Sequence, residues 1–111
     1  MYEIDGNMFE WDEEKHRANI KKHGVDFHEA ATAIIEPNAI SSFDFEHSHF
    51  EERYKILGFS EKSRLLLVSH CQRNEDKVTR IFSARKATKQ EHNDYWRSQN
   101  ERGHYENSNL V

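Results

Sequence analysis

The chain is poor in everything that staples or partitions a protein. Its single cysteine, Cys71, allows no internal disulfide among 111 residues, so a reducing, cytoplasmic setting is expected. One proline and four glycines leave no linker that would divide domains and no glycine-rich loop for phosphate. No apolar run reaches membrane-spanning length, and the N-terminus is acidic where a secretory signal would be basic and then apolar. Zinc-finger spacing and a serine-hydrolase elbow are also missing. His47-Ser48-His49 sits beside acids, but no cysteine or third histidine lies at a recognised ligand spacing. An exposed polar loop is expected there.

What remains is a small, polar chain with 35% hydrophobic residues, 32% charged residues and an aromatic complement (7 Phe, 4 Tyr, 2 Trp) too rich for a disordered one. One domain over residues 1–111 is expected, with a core at about 8–98 and flexible ends at 1–7 and 103–111. The net charge of −4 hides a segregation. Residues 1–14 carry −6 and 26–52 carry −7, whereas 15–25 carry +4 and 53–100 carry +6. A basic face for an anionic polymer is one reading; chance segregation in a polar domain is the other.

Met8 to Trp11 alternates as a short edge strand. Asp12 caps a first helix ending near His23, with acids in its first turn, lysines in its last and Gly24 beyond. Lys15, Asn19 and Lys22 share one face of it, a stripe that an ordinary solvated helix also carries. Asp26 and Glu29 form a capping-box pattern for a second helix with an apolar stripe of Phe27, Ala30, Ala31, Ile34 and Ile35, ended by Pro37. Ala39–Phe43 is a weak strand and Asp44–Glu52 an acidic exposed loop. Arg53–Phe59, Arg64–Cys71 and Lys77–Arg85 then predict an antiparallel meander, the middle strand (Leu65-Leu66-Leu67-Val68) buried on both faces. A last helix follows from Thr88 to Gln99, with Thr88 and Glu91 as a capping pair, and the tail past Gly103 is expected to fray. The predicted class is α+β, two N-terminal helices on an antiparallel sheet plus a C-terminal helix.

The chemistry concentrates in basic side chains. Arg53, Arg64, Arg80 and Arg85 fall on three successive strands, where guanidinium groups can converge on one phosphodiester. Strict alternation puts Arg80, Phe82 and Ala84 on one face and Thr79, Ile81, Ser83 and Arg85 on the other. Lys22, Ser83 and Lys86 are further candidates for holding substrate. RNA brings its own nucleophile, the 2′-hydroxyl, so cleaving it needs only a positive cradle and a proton carrier. His23 and Glu91 are the candidate carriers.

Phe9-Glu10-Trp11-Asp12, then Lys15, Asn19 and Lys22-His23-Gly24-Val25, resemble the N-terminal signature of the BrnT-type toxins of bacterial type II toxin–antitoxin systems. The likeness continues through Phe27, Glu29-Ala30, Pro37-Asn38, Glu52-Arg53, Ile56–Gly58, Arg64-Leu65, Val68, Arg80-Ile81, Ser83–Ala87, Glu91 and Tyr95. Departures are Arg17, Phe82 where a smaller aliphatic is usual, a long tail after Arg97 and the acidic net charge. The resemblance implies a RelE-like fold and an endoribonuclease that halts translation without a metal cofactor. It implies a partner as well, an antitoxin with a ribbon-helix-helix DNA-binding part, through which toxin and antitoxin repress their own operon, a toxin dimer meeting an antitoxin dimer. Carried over by position, its functional residues fall on Lys22, His23, Arg53, Arg64, Arg80, Ser83 and Arg85. The competing reading is a non-catalytic module whose basic face docks an acidic partner and which acts only as corepressor.

Overall fold

The apolar run in the middle of the chain becomes the hub of a six-stranded sheet. The computed structural model describes the backbone of residues 1–110 and side chains through residue 102. The strands are β1 (Tyr2–Ile4), β2 (Asn7–Glu10), β3 (Ile40–Phe43), β4 (Arg53–Phe59), β5 (Leu65–Arg73) and β6 (Val78–Lys86), in the order β1-β2-β6-β5-β4-β3. All neighbours pair antiparallel except β2 with β6, which is parallel. Helices α1 (Glu13–His23) and α2 (Phe27–Ile34) lie on one face, and α3 (Lys89–Leu110) on the other. Leu66 and Val68 face the α1/α2 core with Phe9, Val25, Phe27, Ile56, Ile81 and Ala84, while Leu65 turns toward Leu57 and Tyr95 beneath α3. The first half of β5, Leu65–Val68, is covered on both sides and is apolar, whereas its second half carries Ser69, His70, Gln72 and Arg73.

The helix signals read from the sequence operate locally. Asp12 accepts from the amides of Glu14 and Lys15 at 2.8 and 3.1 Å, and Gly24 takes the left-handed conformation (φ 69°) that ends α1. Thr88 and Glu91 exchange the two capping-box hydrogen bonds at 3.2 and 2.8 Å. α3 extends well past the predicted end at Gln99; the fraying expected beyond Gly103 falls on residues whose side chains lie outside the described set.

Residues 1–7, expected to be flexible, instead build a hairpin on β2. Asp5 and Gly6 both adopt positive φ in its turn, and Tyr2 stacks on Trp11 with centroids 4.3 Å apart. Glu29 departs from its predicted capping role as well. Its amide meets the Asp26 side chain, but its carboxylate turns inward, 1% exposed, to Arg64 and Ser60. The polar stripe of α1 is not simply solvated either. Buried Asn19 accepts from the Ala84 amide at 3.1 Å and donates to the carbonyls of Ala84 (2.8 Å) and Val25 (2.9 Å). β2 covers β6 only from Val78 to Arg80, so Asn19 satisfies backbone groups on the exposed remainder of that edge and docks α1 there.

Candidate active site

The residues that matter sit around one irregularity in β6. Ser69 pairs with Ser83 and His70 with Ile81, leaving Phe82 as an extra residue, a β-bulge. Ile81 and Ala84 therefore both reach the helix-covered core, although strict alternation would separate them. Phe82 and Ser83 both open toward the other face. The bulge shifts the phase of the strand, so Arg80 and Arg85, predicted on opposite faces, share the face away from α1 and α2.

Where that face meets α1, docked on the open edge of β6, lies a cleft of about 520 Å³. The C-terminal turn of α1 brings Lys22 and His23, with Lys15 a little earlier; β4 brings Arg53 and Lys55, β5 Leu67 and Ser69, and β6 Phe82, Ser83 and Arg85. Asp44 and His47 close one end. The Phe82 ring stands among cations, with the Arg53 guanidinium 3.8 Å from its centroid and the Lys15 ammonium 5.6 Å away. A smaller hollow of about 270 Å³ shares Lys55, Leu67 and Arg85, so the concavity continues between β3 and α3. The chain's net negative charge is thus no guide to its local field.

Of the sequence-predicted site residues, Lys22, His23, Arg53, Ser83 and Arg85 meet in this cleft. Arg85 is engaged as well: it donates to both carboxylate oxygens of Glu91, at 2.8 and 3.0 Å. That bidentate bond, opposed by burial and aided by the Thr88 amide, holds the Glu91 carboxyl below its ordinary range. Glu91 is therefore ionised and committed, a poor proton carrier. Arg80 stands outside the cleft lining, 3.8 Å from Glu10, in a cross-strand row running Glu10, Arg80, Cys71, Arg53. Lys86, adjacent to Arg85, projects to the opposite side and is exposed.

Arg64 is elsewhere altogether. Its guanidinium forks onto Glu29, through Nε at 2.8 Å and through Nη2, and donates to the Gly24 carbonyl at 3.1 Å. Its predicted place among the substrate-binding arginines gives way to a structural one, because a buried carboxylate needs a fixed cation. Sequence reasoning passed over Lys15, Lys55 and the Asp44–His47 end. Lys15 carried a signal, since it shares the stripe of Asn19 and Lys22. Among the described residues no group of three or more His, Cys, Asp or Glu side chains is disposed to hold a metal ion.

No helix of the described residues is long and apolar enough to cross a membrane. No curated protein sequence matches the chain. The fold is similar to the 1.1 Å crystal structure of the Brucella abortus ribonuclease toxin BrnT. That likeness has a TM-score of 0.56 at 23% identity, covering 75% of this chain and 100% of that one. Residues 11–91 match the family described as the ribonuclease toxin, BrnT, of type II toxin–antitoxin systems, a span that takes in the three strands lining the basic cleft and α1 beside them. The chain belongs to the BrnT family of ribonuclease toxins.

Proposed function

We propose that this toxin cleaves RNA in the cleft around Phe82, by attack of the 2′-hydroxyl on the adjacent phosphorus and without a metal cofactor. The observation that carries the reading is the convergence of Lys15, Lys22, Arg53, Lys55 and Arg85 from α1, β4 and β6 on one concavity. A phosphodiester seated there gains charge-assisted hydrogen bonds that strengthen as negative charge builds on the phosphorane. Arg53 spends one Nη2 donor on Glu51 at 3.3 Å, a half-exposed pair, and its guanidinium keeps further donors toward the cleft. Ser83 offers a hydroxyl to a phosphate oxygen. His23 carries a proton to or from the reacting oxygens. Arg80, flanking the cleft, extends the basic face along the RNA strand.

Cutting RNA in the cytoplasm would inhibit translation. A DNA-binding antitoxin, in our reading of ribbon-helix-helix type, would neutralise the toxin by covering the cleft, and the pair, as toxin and antitoxin dimers, would repress their own operon.

The decisive experiment incubates the purified full-length chain with RNA, alone and with its antitoxin, and maps the ends. A 2′,3′-cyclic phosphate and a 5′-hydroxyl are expected, and prior antitoxin binding should abolish both. The commitment of Arg85 to Glu91 and of Arg80 to Glu10 favours a second reading, a non-catalytic corepressor. Tight antitoxin binding with RNA left intact at high toxin concentration would establish that one instead.

A further inference from the structure

The segment joining β3 to β4 was expected to be an acidic exposed loop, yet it is tied together and aimed. Asp44, whose side chain is 3% exposed, caps a single 3-10 turn (Phe45–His47) by accepting from the His47 amide at 3.3 Å. Its other oxygen meets His47 Nδ1 at 3.0 Å. The ends of the segment are clamped. The Asp44 amide donates to the Arg53 carbonyl at 2.8 Å, Ser48 Oγ donates to the Asp44 carbonyl at 2.5 Å, and the Arg53 amide donates to Ser48 Oγ at 2.9 Å. The imidazole itself is 55% exposed and lines the cleft.

We infer that His47 is the general base of the cleavage and that Asp44 is its positioning residue. The inference rests on the ribonuclease reading above and supplies the proton acceptor which that reading leaves open. Burial pushes the Asp44 carboxyl up, but the His47 hydrogen bond and the Lys55 charge outweigh it, leaving the group below its ordinary range and ionised. An ionised carboxylate only accepts, so Nδ1 of the neutral imidazole must carry the proton and Nε2 must carry the lone pair. A carboxylate behind a histidine thus fixes the tautomer and stabilises the imidazolium formed when the proton is taken.

The step balances. Nε2 of His47 removes the 2′-hydroxyl proton, the 2′-oxygen forms its bond to phosphorus, and the bond from phosphorus to the 5′-oxygen breaks. The leaving oxygen takes a proton from protonated His23, which enters the cleft from α1. Two imidazoles from separate elements can serve the entering and the departing oxygen, which one group cannot do at once. The charged groups sharing the cleft with His47 are Lys15, Lys22, His23, Arg53, Lys55 and Arg85; Asp44 lies behind it and Glu46 beside it on the same turn.

The test is steady-state cleavage of an RNA oligonucleotide by the full-length chain from pH 5 to 9. Wild type should lose rate on the acid side, as cleavage through a general base requires. His47→Gln should lower kcat on the order of 10²–10⁴-fold with KM little changed and abolish that acid limb. Asp44→Asn should lower kcat similarly through the wrong tautomer. Added imidazole should restore part of the rate of His47→Ala, an outcome that a purely structural role would not produce. If wild type yields no cyclic-phosphate ends, the ribonuclease reading itself fails. If wild type cleaves and His47→Gln matches it in rate and acid limb, the pair fails and the ribonuclease stands. A slowed His47→Ala that keeps the acid limb and ignores imidazole overturns the pair equally.

Discussion

Truncating Arg64 separates a structural arginine from a catalytic one. The Glu29 carboxylate is 1% exposed and receives three side-chain donors: Arg64 Nε at 2.8 Å, Arg64 Nη2, and Ser60 Oγ at 2.7 Å. Arg64→Ala removes two charge-assisted bonds and leaves a buried anion with one neutral partner, a change that costs about 3–5 kcal/mol. A small domain has about 5–15 kcal/mol in total, so the variant should be near the edge of folding. Urea denaturation at pH 7 measures the loss. Its pH dependence is the sharper mark. In wild type the hydrogen bond from Arg64 holds the Glu29 carboxyl below its ordinary value against the opposing effect of burial. A depressed carboxyl contributes stability above its unfolded pKa, about 4.3, and loses it as pH falls through the folded value. Without Arg64 the buried group prefers its proton, the sign reverses, and the deficit should shrink from pH 7 toward pH 5. Replacing both partners by apolar residues, Glu29→Met with Arg64→Leu, should recover most of the loss. If Arg64→Ala stays within 1 kcal/mol of wild type while RNA cleavage collapses, the structural reading is refuted and Arg64 belongs with the substrate.

Other substitutions probe the site and the sheet. Phe82→Ala should leave urea stability nearly unchanged but raise KM about tenfold, since it removes the aromatic plane between Arg53 and Lys15 against which a base can stack, a contact worth about 1–3 kcal/mol. Unchanged KM would rule that platform out. Arg85→Ala should slow cleavage and relieve growth arrest, and its stability should fall less than that of wild type below pH 5, because Glu91 then titrates nearer its ordinary range. An acid limb of the urea-stability curve matching wild type would refute that coupling. Gly58→Ala should abolish stable folding: a Cβ there would stand 2.2 Å from the Ala33 carbonyl oxygen, a backbone atom of α2 that cannot swing away. Soluble Gly58→Ala with wild-type thermal stability would contradict the close packing of α2 on β4.

Local rules carried the reading of this fold a long way and failed wherever one residue changed a phase or a partner. Asp12, Gly24, Asp26 and Thr88 act through neighbours a few residues distant, so α1, α2 and the start of α3 were legible from the sequence. The apolar run at Leu65–Val68 was equally plain, because Leu66 and Val68 fill the core beneath α1 and α2 while Leu65 fills the one beneath α3. The bulge at Phe82 was not, since nothing in Lys77–Lys86 marks which residue the partner strand skips; that depends on Ser69 and His70, far off in the chain. One skipped residue decided that Arg80 and Arg85 share a face. Long-range ion pairing was hidden for the same reason. Arg64 and Arg53 look alike in sequence, each at the head of an apolar strand, but Arg64 leaves the cleft for the buried Glu29 carboxylate of α2, whereas Arg53 pairs with the half-exposed Glu51 and stays in the cleft lining. The count of arginines on the meander therefore overstated the site. What the cleft lost in Arg64 and Arg80 it regained from Lys15 and Lys55, whose placement depends on Asn19 docking α1 against the open edge of β6 and on the pairing of β4 with β5. Spacing reveals which side chains an element can present; which of them remain available is settled by the carboxylates that other elements bring.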